Sequence, residues 1–208
     1  MYPALGPGPY YYISCEALTI KVREGGRVAK TSVLLATGVN ADGYRELLGM
    51  QVATAEPTAF WTEFFRGLIA RGLTGVFLVT SDAHRGFQAA VGDCLAQASW
   101  QRCRSHFAKN LSSQVPKTQW PTLSAMFHTS FHQPDADSVW AQAREVVEFC
   151  GQKCPHVADY LEESLDELLA FTTAPKPVWT KMWSNNLTGT AQPRNPTSPR
   201  RRRDLSKP

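Results

Sequence analysis

The first 53 residues show the spacing of apolar and polar side chains that is typical of β-strands. Residues 10–15 are aromatic and β-prone, and residues 18–23 alternate apolar with polar side chains, which predicts a strand with one solvent-facing side. Gly25-Gly26 indicates a hairpin turn, and β-branched apolar runs follow at residues 31–39 and 47–53. The pattern predicts a three-stranded meander.

After Pro57 the apolar residues recur at helical spacing, and Gly72 ends this first predicted helix. Four consecutive apolar residues at 76–79 favour a short strand buried on both faces. Beyond it the pattern predicts another strand at residues 100–103, between two helices, the second of which ends at Pro116. The order β-β-β-α-β-α-β-α predicts a mixed α/β fold.

From Lys117 onward the spacing is helical throughout. Three apolar stripes, at residues 123–131, 139–150 and 157–169, predict three helices, and the prolines at 175 and 177 end this block. The three helices either pack on one another or cover the sheet. The chain is therefore predicted to contain an α/β part followed by a helical part.

A short polar segment, Ser81-Asp82-Ala83-His84, directly follows the buried strand predicted at residues 76–79. In open α/β sheets the carboxyl ends of strands carry ligands and catalytic groups, which makes Asp82 a candidate for such a role. Aspartate is also a favoured N-cap, and a helix is predicted to follow. The residue pattern by itself leaves both interpretations open.

Composition limits where the protein acts. The 208 residues, 43% hydrophobic and 19% charged, are enough for one domain or one domain with an insertion. No apolar run is long enough to cross a bilayer, and Met1–Pro9 lacks the basic start and apolar centre of a signal peptide, so we expect a cytoplasmic protein. Five cysteines without regular spacing are typical of reduced thiols rather than disulfides.

The formal net charge of +4 comes from one end of the chain. Residues 184–208 contain six basic residues against Asp204, and the rest of the chain has a net charge of −1. Because this segment is rich in proline, arginine, threonine and serine and has few apolar residues, it is predicted to be a disordered basic tail. A run of arginines is typical of contact with phosphates, or of no specific partner.

Several stretches, in their order along the chain, resemble a known protein family. They are residues 18–28, Gly38–Gly43, Phe60-Trp61 with Phe64, Ser81–His84, and Trp100–Phe107 with its Cys-x-x-His element at Cys103 and His106. Together with weaker similarity at the flanks they span most of the chain, from residue 6 to residue 186. The chain is similar to the transposases of bacterial Mutator-family insertion sequences.

This resemblance implies an α/β fold with an RNase H-like core, in which the three-strand meander and the alternating α/β elements are interrupted by an all-helical insertion. We expect four segments on this basis. They are a disordered N-terminal remnant at 1–9, an RNase H-like catalytic core at 10–116, a helical insertion at 117–183 and a disordered basic tail at 184–208.

The resemblance also implies a chemistry. Such a core cleaves and joins DNA strands by in-line displacement at phosphorus, using two Mg²⁺ (or Mn²⁺) ions held by an Asp, an Asp and a Glu. Asp82 matches the second Asp, and Glu16 stands at the position of the first. Glutamate can bind Mg²⁺, but its extra methylene shifts the carboxylate, and a misplacement of about 1 Å can cost roughly 100-fold in rate. The alternative is that Glu16 is only a polar residue at the end of a strand.

Cys103 and His106 are implied to support this active site. A zinc site that combines them with Cys150, Cys154 and His156 requires the insertion to fold back. We do not expect zinc, because half-sites without a matching second pair are weak signals.

The third carboxylate of the family has no counterpart here. In the family, a segment similar to Leu-Glu-Arg-Leu-Asn-Arg-Glu-Ile contains the catalytic Glu, whereas here Leu187 and its successors follow Asn186, and no Glu occurs after Glu167. We hypothesise a frameshift, because residues 188–200 can be encoded so that a frame displaced by one nucleotide reads nearly the family sequence. The family also has a DNA-binding region ahead of its core, and this chain begins almost at the first strand.

These features predict a transposase copy that is a non-functional fragment. Its expected partners are DNA (transposon ends and target) and either a second copy of itself or a full-length transposase. The alternative is a non-catalytic DNA-associated protein that acts through its basic tail or by joining full-length transposase. The candidate DNA-binding residues are Trp179 and Trp183, which either stack on DNA bases or belong to the core, and Arg200, Arg201, Arg202 and Arg203.

Overall fold

Three long strands form at the start of the chain: β1 (Tyr12–Glu24), β2 (Arg27–Val39) and β3 (Arg45–Ala53). The computed structural model describes residues 4–6, 8–24, 26–40, 43–53 and 57–184. β1 and β2 pair antiparallel along their whole length, and β2 and β3 pair antiparallel with a bulge after Ala36. Gly26 takes a φ of 78° between β1 and β2, a conformation that glycine adopts without steric cost.

Two short strands extend the sheet on the other side of β1. β4 (Leu78–Ser81) and β5 (Ser99–Arg102) run parallel to β1, and the strand order is β3-β2-β1-β4-β5. The strand that was predicted at residues 76–79 starts at Leu78 instead. The N–H groups of Phe77 and Leu78 both bond to the carbonyl oxygen of Tyr11, at 2.7 and 3.0 Å, so regular pairing begins only there.

One face of the sheet is covered by two helices, α1 (Pro57–Ala70) and α2 (Arg85–Cys94). Trp61 and Phe65 of α1 and Phe87 of α2 lie with their ring centroids 4.7–6.0 Å apart. Large aromatic side chains in such contact contribute strongly to a core. They pack against alternate residues of the strands, which accounts for the apolar positions of the meander on this side.

The other face packs against α3 (Arg104–Ser112) and a block of helices. The block consists of α4 (Trp120–Ser130), α5 (Ala136–Lys153), α6 (Pro155–Glu162), α7 (Leu165–Leu169) and α8 (Trp179–Met182), with 3₁₀ turns at Ala170–Thr173 and Lys176–Val178. The five-stranded sheet with helices confirms the predicted mixed α/β class. No helix in the described ranges is long and apolar enough to cross a membrane.

The third predicted helix, at residues 157–169, is divided in the structure. α6 ends at Glu162 and α7 begins at Leu165. Between them the buried Ser164 donates its hydroxyl to the carbonyl oxygen of Tyr160 at 2.8 Å and accepts from Arg102 at 2.9 Å. The division therefore occurs where the block binds a side chain of the sheet, which periodicity alone does not reveal.

A buried glutamine joins the edge of the sheet to the helical block. Gln101 of β5 has no solvent exposure. Its Nε2 donates to the carbonyl oxygen of Leu168 at 2.7 Å, and its Oε1 accepts from the backbone N–H of Phe171 at 2.8 Å. Nearby, the Thr80 hydroxyl donates to the carbonyl oxygen of Met182 at 2.5 Å. These polar contacts, all buried, fix the block relative to β4 and β5.

We expect the substitution Gln101→Leu to destabilise the fold strongly. It leaves the carbonyl of Leu168 and the N–H of Phe171 buried without partners, at a cost of about 1–3 kcal/mol each, so the free energy of unfolding should fall by roughly 2–6 kcal/mol. Urea denaturation measures this, with the exposed Gln97→Leu as the matched control. A loss below about 1 kcal/mol would mean that the joint does not depend on this amide.

Candidate active site

Two acidic residues, Glu16 of β1 and Asp82 directly after β4, lie near the point where β4 ends beside β1. β1 and β4 pair in parallel register up to Ser14 and Thr80. The same register, extended by two residues, sets the backbone of Glu16 beside that of Asp82. Glu16 is half-buried and Asp82 is exposed. The two residues that the resemblance selected are thus neighbours across adjacent strands, although 66 positions separate them in the sequence.

Asp82 is held by local hydrogen bonds and does not cap a helix. Its Oδ1 accepts from the N–H of Ala83 at 2.8 Å, and its carbonyl oxygen accepts from the N–H of His84 at 3.0 Å. The N-cap of α2 is His84, which makes no side-chain capping bond. The capping interpretation of Asp82 is therefore wrong, because the helix begins too late for this carboxylate to reach its first N–H groups.

Cys103 and His106 lie at the start of α3, next to the end of β4. Cys103 is the N-cap of α3, is fully buried, and donates its backbone N–H to the carbonyl oxygen of Ser81 at 2.8 Å. His106 follows one turn later and is half-buried. The backbone of β4 thereby fixes the Cys-x-x-His element beside the carboxylate pair.

The electrostatics of His106 link it to both carboxylates. The pKa of His106 is raised above its ordinary value of 6.5, chiefly by a hydrogen bond with the Cys103 side chain and further by the negative charges of Asp82 and Glu16, while burial acts in the opposite direction. Its Nδ1 is buried and has no hydrogen-bond partner among the described residues. The structure therefore brings together the four residues Glu16, Asp82, Cys103 and His106.

Arg104 is a further charged residue at this site, which the sequence reasoning did not single out. Its guanidinium lies 4.3 Å from the ring centroid of Trp183 and 5.3 Å from that of Phe131, and burial lowers its pKa. Its Nε and Nη1 are buried without a hydrogen-bond partner in the described part of the chain. The available signal was its position inside the Cys-x-x-His element, between Cys103 and His106.

The end of the helical block, at Trp183 and Ser184, contacts the start of α3 beside this site. The backbone N–H of Arg104 donates to the carbonyl oxygen of Trp183 at 2.8 Å. The Ser184 hydroxyl lies 2.9 Å from the Ser105 hydroxyl and 3.5 Å from the sulfur of Cys103. The last described residue of the block therefore contacts the segment that carries His106.

The donor set at this site fits one magnesium ion better than a pair. Mg²⁺ is commonly held by one or two carboxylates together with waters and substrate phosphates, which matches Glu16 and Asp82. Within residues 4–184, gaps excepted, no group of three His, Cys, Asp or Glu side chains is arranged to hold a metal. Cys154 and His156 make contacts elsewhere, with Gln119 at 3.2 Å and with the carbonyl oxygen of Gln114 at 3.2 Å.

Of the remaining candidate DNA-binding residues, the two tryptophans are buried and the four arginines lie outside the described residues. Trp179 and Trp183 are buried, with 3% and 6% of their surfaces exposed, and the indole N–H of Trp179 donates to the carbonyl oxygen of Ala174 at 2.7 Å. This burial agrees with the core alternative, and base stacking by either ring stays a prediction. Arg200–Arg203, with the rest of the predicted tail from residue 185, lie outside the described residues.

The fold and the site together define a mixed α/β protein with an acidic site at the carboxyl end of a central strand. Residues 4–202 match the family model described as Transposase, Mutator family. The chain belongs to this family. The match continues past residue 186, where the sequence resemblance ended, and the proposed frameshift stays a prediction.

The relatives of this chain are named as transposases of insertion sequence elements. The chain is 52% identical over 182 residues to the transposase for insertion sequence element IS1081 of Mycobacterium tuberculosis, which covers 88% of this chain and 44% of that protein. It is 31% identical over 179 residues to the transposase for ISRM5 of Rhizobium meliloti, which covers 86% and 45%. It is 43% identical over 108 residues to that for IS256 in transposon Tn4001 of Staphylococcus aureus, which covers 52% and 28%. The chain therefore spans less than half the length of these relatives.

Similarity to solved structures is lower. A chain of a simian T-cell lymphotropic virus intasome in complex with PP2A regulatory subunit B56 gamma matches with a TM-score of 0.32 and 11% identity, over 68% of this chain and 49% of that one. The catalytic core domain of BIV integrase matches with a TM-score of 0.29 and 12% identity, over 76% and 83%. The strand order and pairing described above define the fold independently of these similarities.

We expect Cys103→Ala to lower the pKa of His106, and Asp82→Asn to lower it by a smaller amount, because the first removes the largest cause of the raised value and the second removes a weaker one. Histidine resonances in an NMR pH titration measure both. His128, whose pKa is lowered chiefly by burial, is the internal control and should not move. A wild-type His106 that titrates at or below 6.5 would contradict the geometry.

The raised pKa of His106 also determines how its contribution to stability changes with pH. Because the folded protein binds this proton more tightly than the unfolded chain, the stabilisation by His106 is complete below the unfolded value of about 6.5. It is lost as the pH rises through the higher folded pKa.

Proposed function

We propose that this chain is the catalytic-core part of an insertion-element transposase, whose chemistry is cleavage and joining of DNA strands at phosphorus. The observation that carries the proposal is that the β1–β4 register, extended by two residues past Ser14 and Thr80, sets the backbone of Glu16 beside that of Asp82, and that the charges of both carboxylates act on His106. The family assignment and the names of the relatives support it. The site residues were selected from sequence, so their proximity is an independent argument for a common role.

The domain organisation that goes with this proposal has four segments. They are an N-terminal segment at 1–9, an RNase H-like core at 10–116, a helical insertion at 117–183 and a basic tail at 184–208. The sheet order β3-β2-β1-β4-β5, with β1 to β3 antiparallel and β4 and β5 parallel to β1, supports the RNase H-like description. The contact between Ser184 and Cys103 supports a helical part that leaves the core and returns to it.

In this proposal the residues of the chain bind and orient rather than react. Asp82 and Glu16 hold a divalent cation, Mg²⁺ or Mn²⁺, which when bound stabilises charge on the oxygens of a phosphate. The N–H of Ala83 orients the Asp82 carboxylate through its Oδ1. His106, whose pKa is raised chiefly by its hydrogen bond with the Cys103 side chain, lies next to the carboxylates with its Nδ1 buried. Cys103 keeps the imidazole in place.

A second candidate is a non-catalytic DNA-associated protein that acts in an assembly with DNA, with a second copy or with a longer transposase. The observation that favours it is that the described residues supply two acidic ligands at the site and no group of three. The two candidates differ in one measurable property, the dependence of any DNA cleavage on Asp82.

We expect the site to bind Mn²⁺ through its two carboxylates. Asp82→Asn and Glu16→Gln should each weaken Mn²⁺ binding at least about tenfold, because one carboxylate of two is lost. Glu16→Asp should strengthen it, because it restores the shorter ligand of the family. Electron paramagnetic resonance of free and bound Mn²⁺ measures this, and Asp93→Asn, on the exposed surface of α2, is the control. Equal affinity in all four variants would remove Glu16 and Asp82 from the proposed site.

We expect the purified chain to leave transposon-end DNA uncleaved in the presence of Mg²⁺, since an incomplete set of carboxylates cannot hold the two-metal clamp. A gel assay of nicking on supercoiled and on end-containing DNA measures this. Nicking that disappears in Asp82→Asn would overturn the expectation and favour the catalytic candidate. Nicking that persists in Asp82→Asn would indicate a contaminating nuclease.

A further inference from the structure

The hairpin formed by β1 and β2 extends beyond the rest of the sheet. β4 pairs with β1 only as far as Ser14, and β3 pairs with β2 only between Ser32 and Val39. The ladder between β1 and β2 continues to Glu24 opposite Arg27. Residues 17–24 and 26–31 therefore form a ribbon that is two strands wide, with both of its edges unpaired within the described residues.

The two faces of this ribbon differ in chemistry. Lys21 lies directly opposite Lys30, and Arg23 lies opposite Val28. Because side chains alternate between faces along a strand, Lys21, Arg23 and Lys30 share one face. All three are exposed. The other face carries the apolar side chains of β1 at Leu18, Ile20 and Val22.

The cationic face of the ribbon is unfavourable for the isolated fold. Like charges directly opposite each other across an antiparallel pair are destabilising. Neither Lys21 nor Lys30 forms an ion pair with a described side chain. Glu24 is the single acidic residue between positions 17 and 32, so this segment has a net charge of +3. An arrangement that costs stability and repels itself indicates a polyanionic partner.

Positive charge is more concentrated at the hairpin than the net charge of the whole chain indicates. The whole chain has a net charge of +4, and the hairpin and residues 184–208 together carry +8. The rest of the chain therefore has a net charge of −4. The ribbon is a cationic projection on an acidic body, which directs a polyanion to the hairpin and away from the other surfaces of the fold.

We propose that Lys21, Arg23 and Lys30 form a phosphate-binding face of the β1–β2 hairpin, and that its ligand is duplex DNA. This inference rests on the proposed function, and it adds a DNA-holding surface separate from the carboxylate site. Glu16 and Lys21 belong to the same strand, about 17 Å apart, and Arg23 is about 23 Å from Glu16, at roughly 3.3–3.4 Å per residue. By the same alternation Glu16 shares the face of Leu18, Ile20 and Val22, so the basic face lies on the opposite side of the sheet from the Glu16 side chain.

The shape and charge of the ribbon favour DNA over other partners. The major groove of B-DNA admits a two-stranded β-ribbon, and lysine and arginine are the usual contacts to its phosphates. A second copy of this chain paired along the free edge of β1 brings Lys21 and Arg23 of both copies together, which repulsion opposes. Because the ribbon is two strands wide here, its long basic side chains are accessible from both edges.

The test is the salt dependence of DNA binding by the full chain, measured by fluorescence anisotropy of a labelled duplex in the presence of EDTA. The triple variant Lys21→Gln, Arg23→Gln and Lys30→Gln should weaken binding about tenfold or more at low salt. It should reduce the slope of log K against log salt by about 2.7, since each phosphate contact contributes about 0.9. The control triple variant Arg66→Gln, Lys117→Gln and Lys153→Gln removes the same charge from exposed positions on α1, after α3 and on α5.

A further variant separates the hairpin from the tail: Arg200→Gln, Arg201→Gln, Arg202→Gln and Arg203→Gln in the full chain. The inference requires that the hairpin substitutions reduce the slope of log K against log salt. The tail variant must keep the part of that slope that the hairpin residues contribute. Equal slopes in the wild type, the hairpin variant and the control variant would overturn it. Absence of duplex binding by the wild type, with capture of polyglutamate that the hairpin variant loses, would overturn it in favour of an acidic protein partner.

The melting temperature and the Mn²⁺ affinity of the hairpin variant distinguish a loss of DNA contacts from unfolding and from a failure of the proposed active site. Removal of the Lys21–Lys30 repulsion should leave the melting temperature of the hairpin variant equal to or above that of the wild type, so weaker DNA binding cannot be attributed to unfolding. The hairpin variant should also retain the Mn²⁺ affinity of the wild type, because Asp82 and Glu16 are unchanged. A failed hairpin test with intact Mn²⁺ binding therefore leaves the proposed active site standing, and the reverse result leaves the DNA-binding face standing.

Discussion

The buried amide of Gln101 is the contact that joins the edge of the sheet to the helical block through two buried hydrogen bonds. A short edge strand such as β5 has little apolar surface of its own, and the helical block shares no backbone pairing with the sheet in the described residues. The amide satisfies one carbonyl and one N–H of the block inside an otherwise apolar interface. Hydrogen bonds in such surroundings are directional and costly to lose, so they set the orientation of the two parts more strictly than apolar packing does.

The position of the candidate active site follows from that orientation. The end of β4 supplies Asp82, β1 supplies Glu16, and α3 is held at the end of β4 by the bond between Cys103 and Ser81. Trp183 at the end of the helical block receives the backbone N–H of Arg104 and lies against its guanidinium. The strands β1 and β4, the start of α3 and the end of the helical block thus meet at one edge of the sheet. Backbone contacts hold the site side chains there.

The charges of the protein are divided between two places with different tasks. The Cys103 side chain, and to a smaller extent the carboxylates of Asp82 and Glu16, raise the pKa of His106. The two carboxylates suit a cation, while the basic hairpin on the same strand β1 suits the phosphates of a polyanion. Separate placement avoids mutual neutralisation, because screening reduces the interaction of exposed charges beyond about 8–10 Å. A long strand that carries both groups also fixes the distance between them.

The sequence by itself determined the fold class, most of the elements and the identity of the candidate site, because alternation, helical spacing and the order of short motifs are local properties of the chain. Asp82, Cys103 and His106 were named from their positions in those motifs, and Glu16 from the position at which the family resemblance expects the first Asp. Only the tertiary structure decided that Asp82 is not a helix cap, that the helix at 157–169 divides at Ser164, and that Arg104 is enclosed by Trp183 and Phe131. Each of these depends on a contact between residues far apart in sequence, and no local pattern records such a contact. The opposition of Lys21 and Lys30 likewise emerged only when the register of β1 and β2 was known, because a shift of one residue places every side chain on the other face.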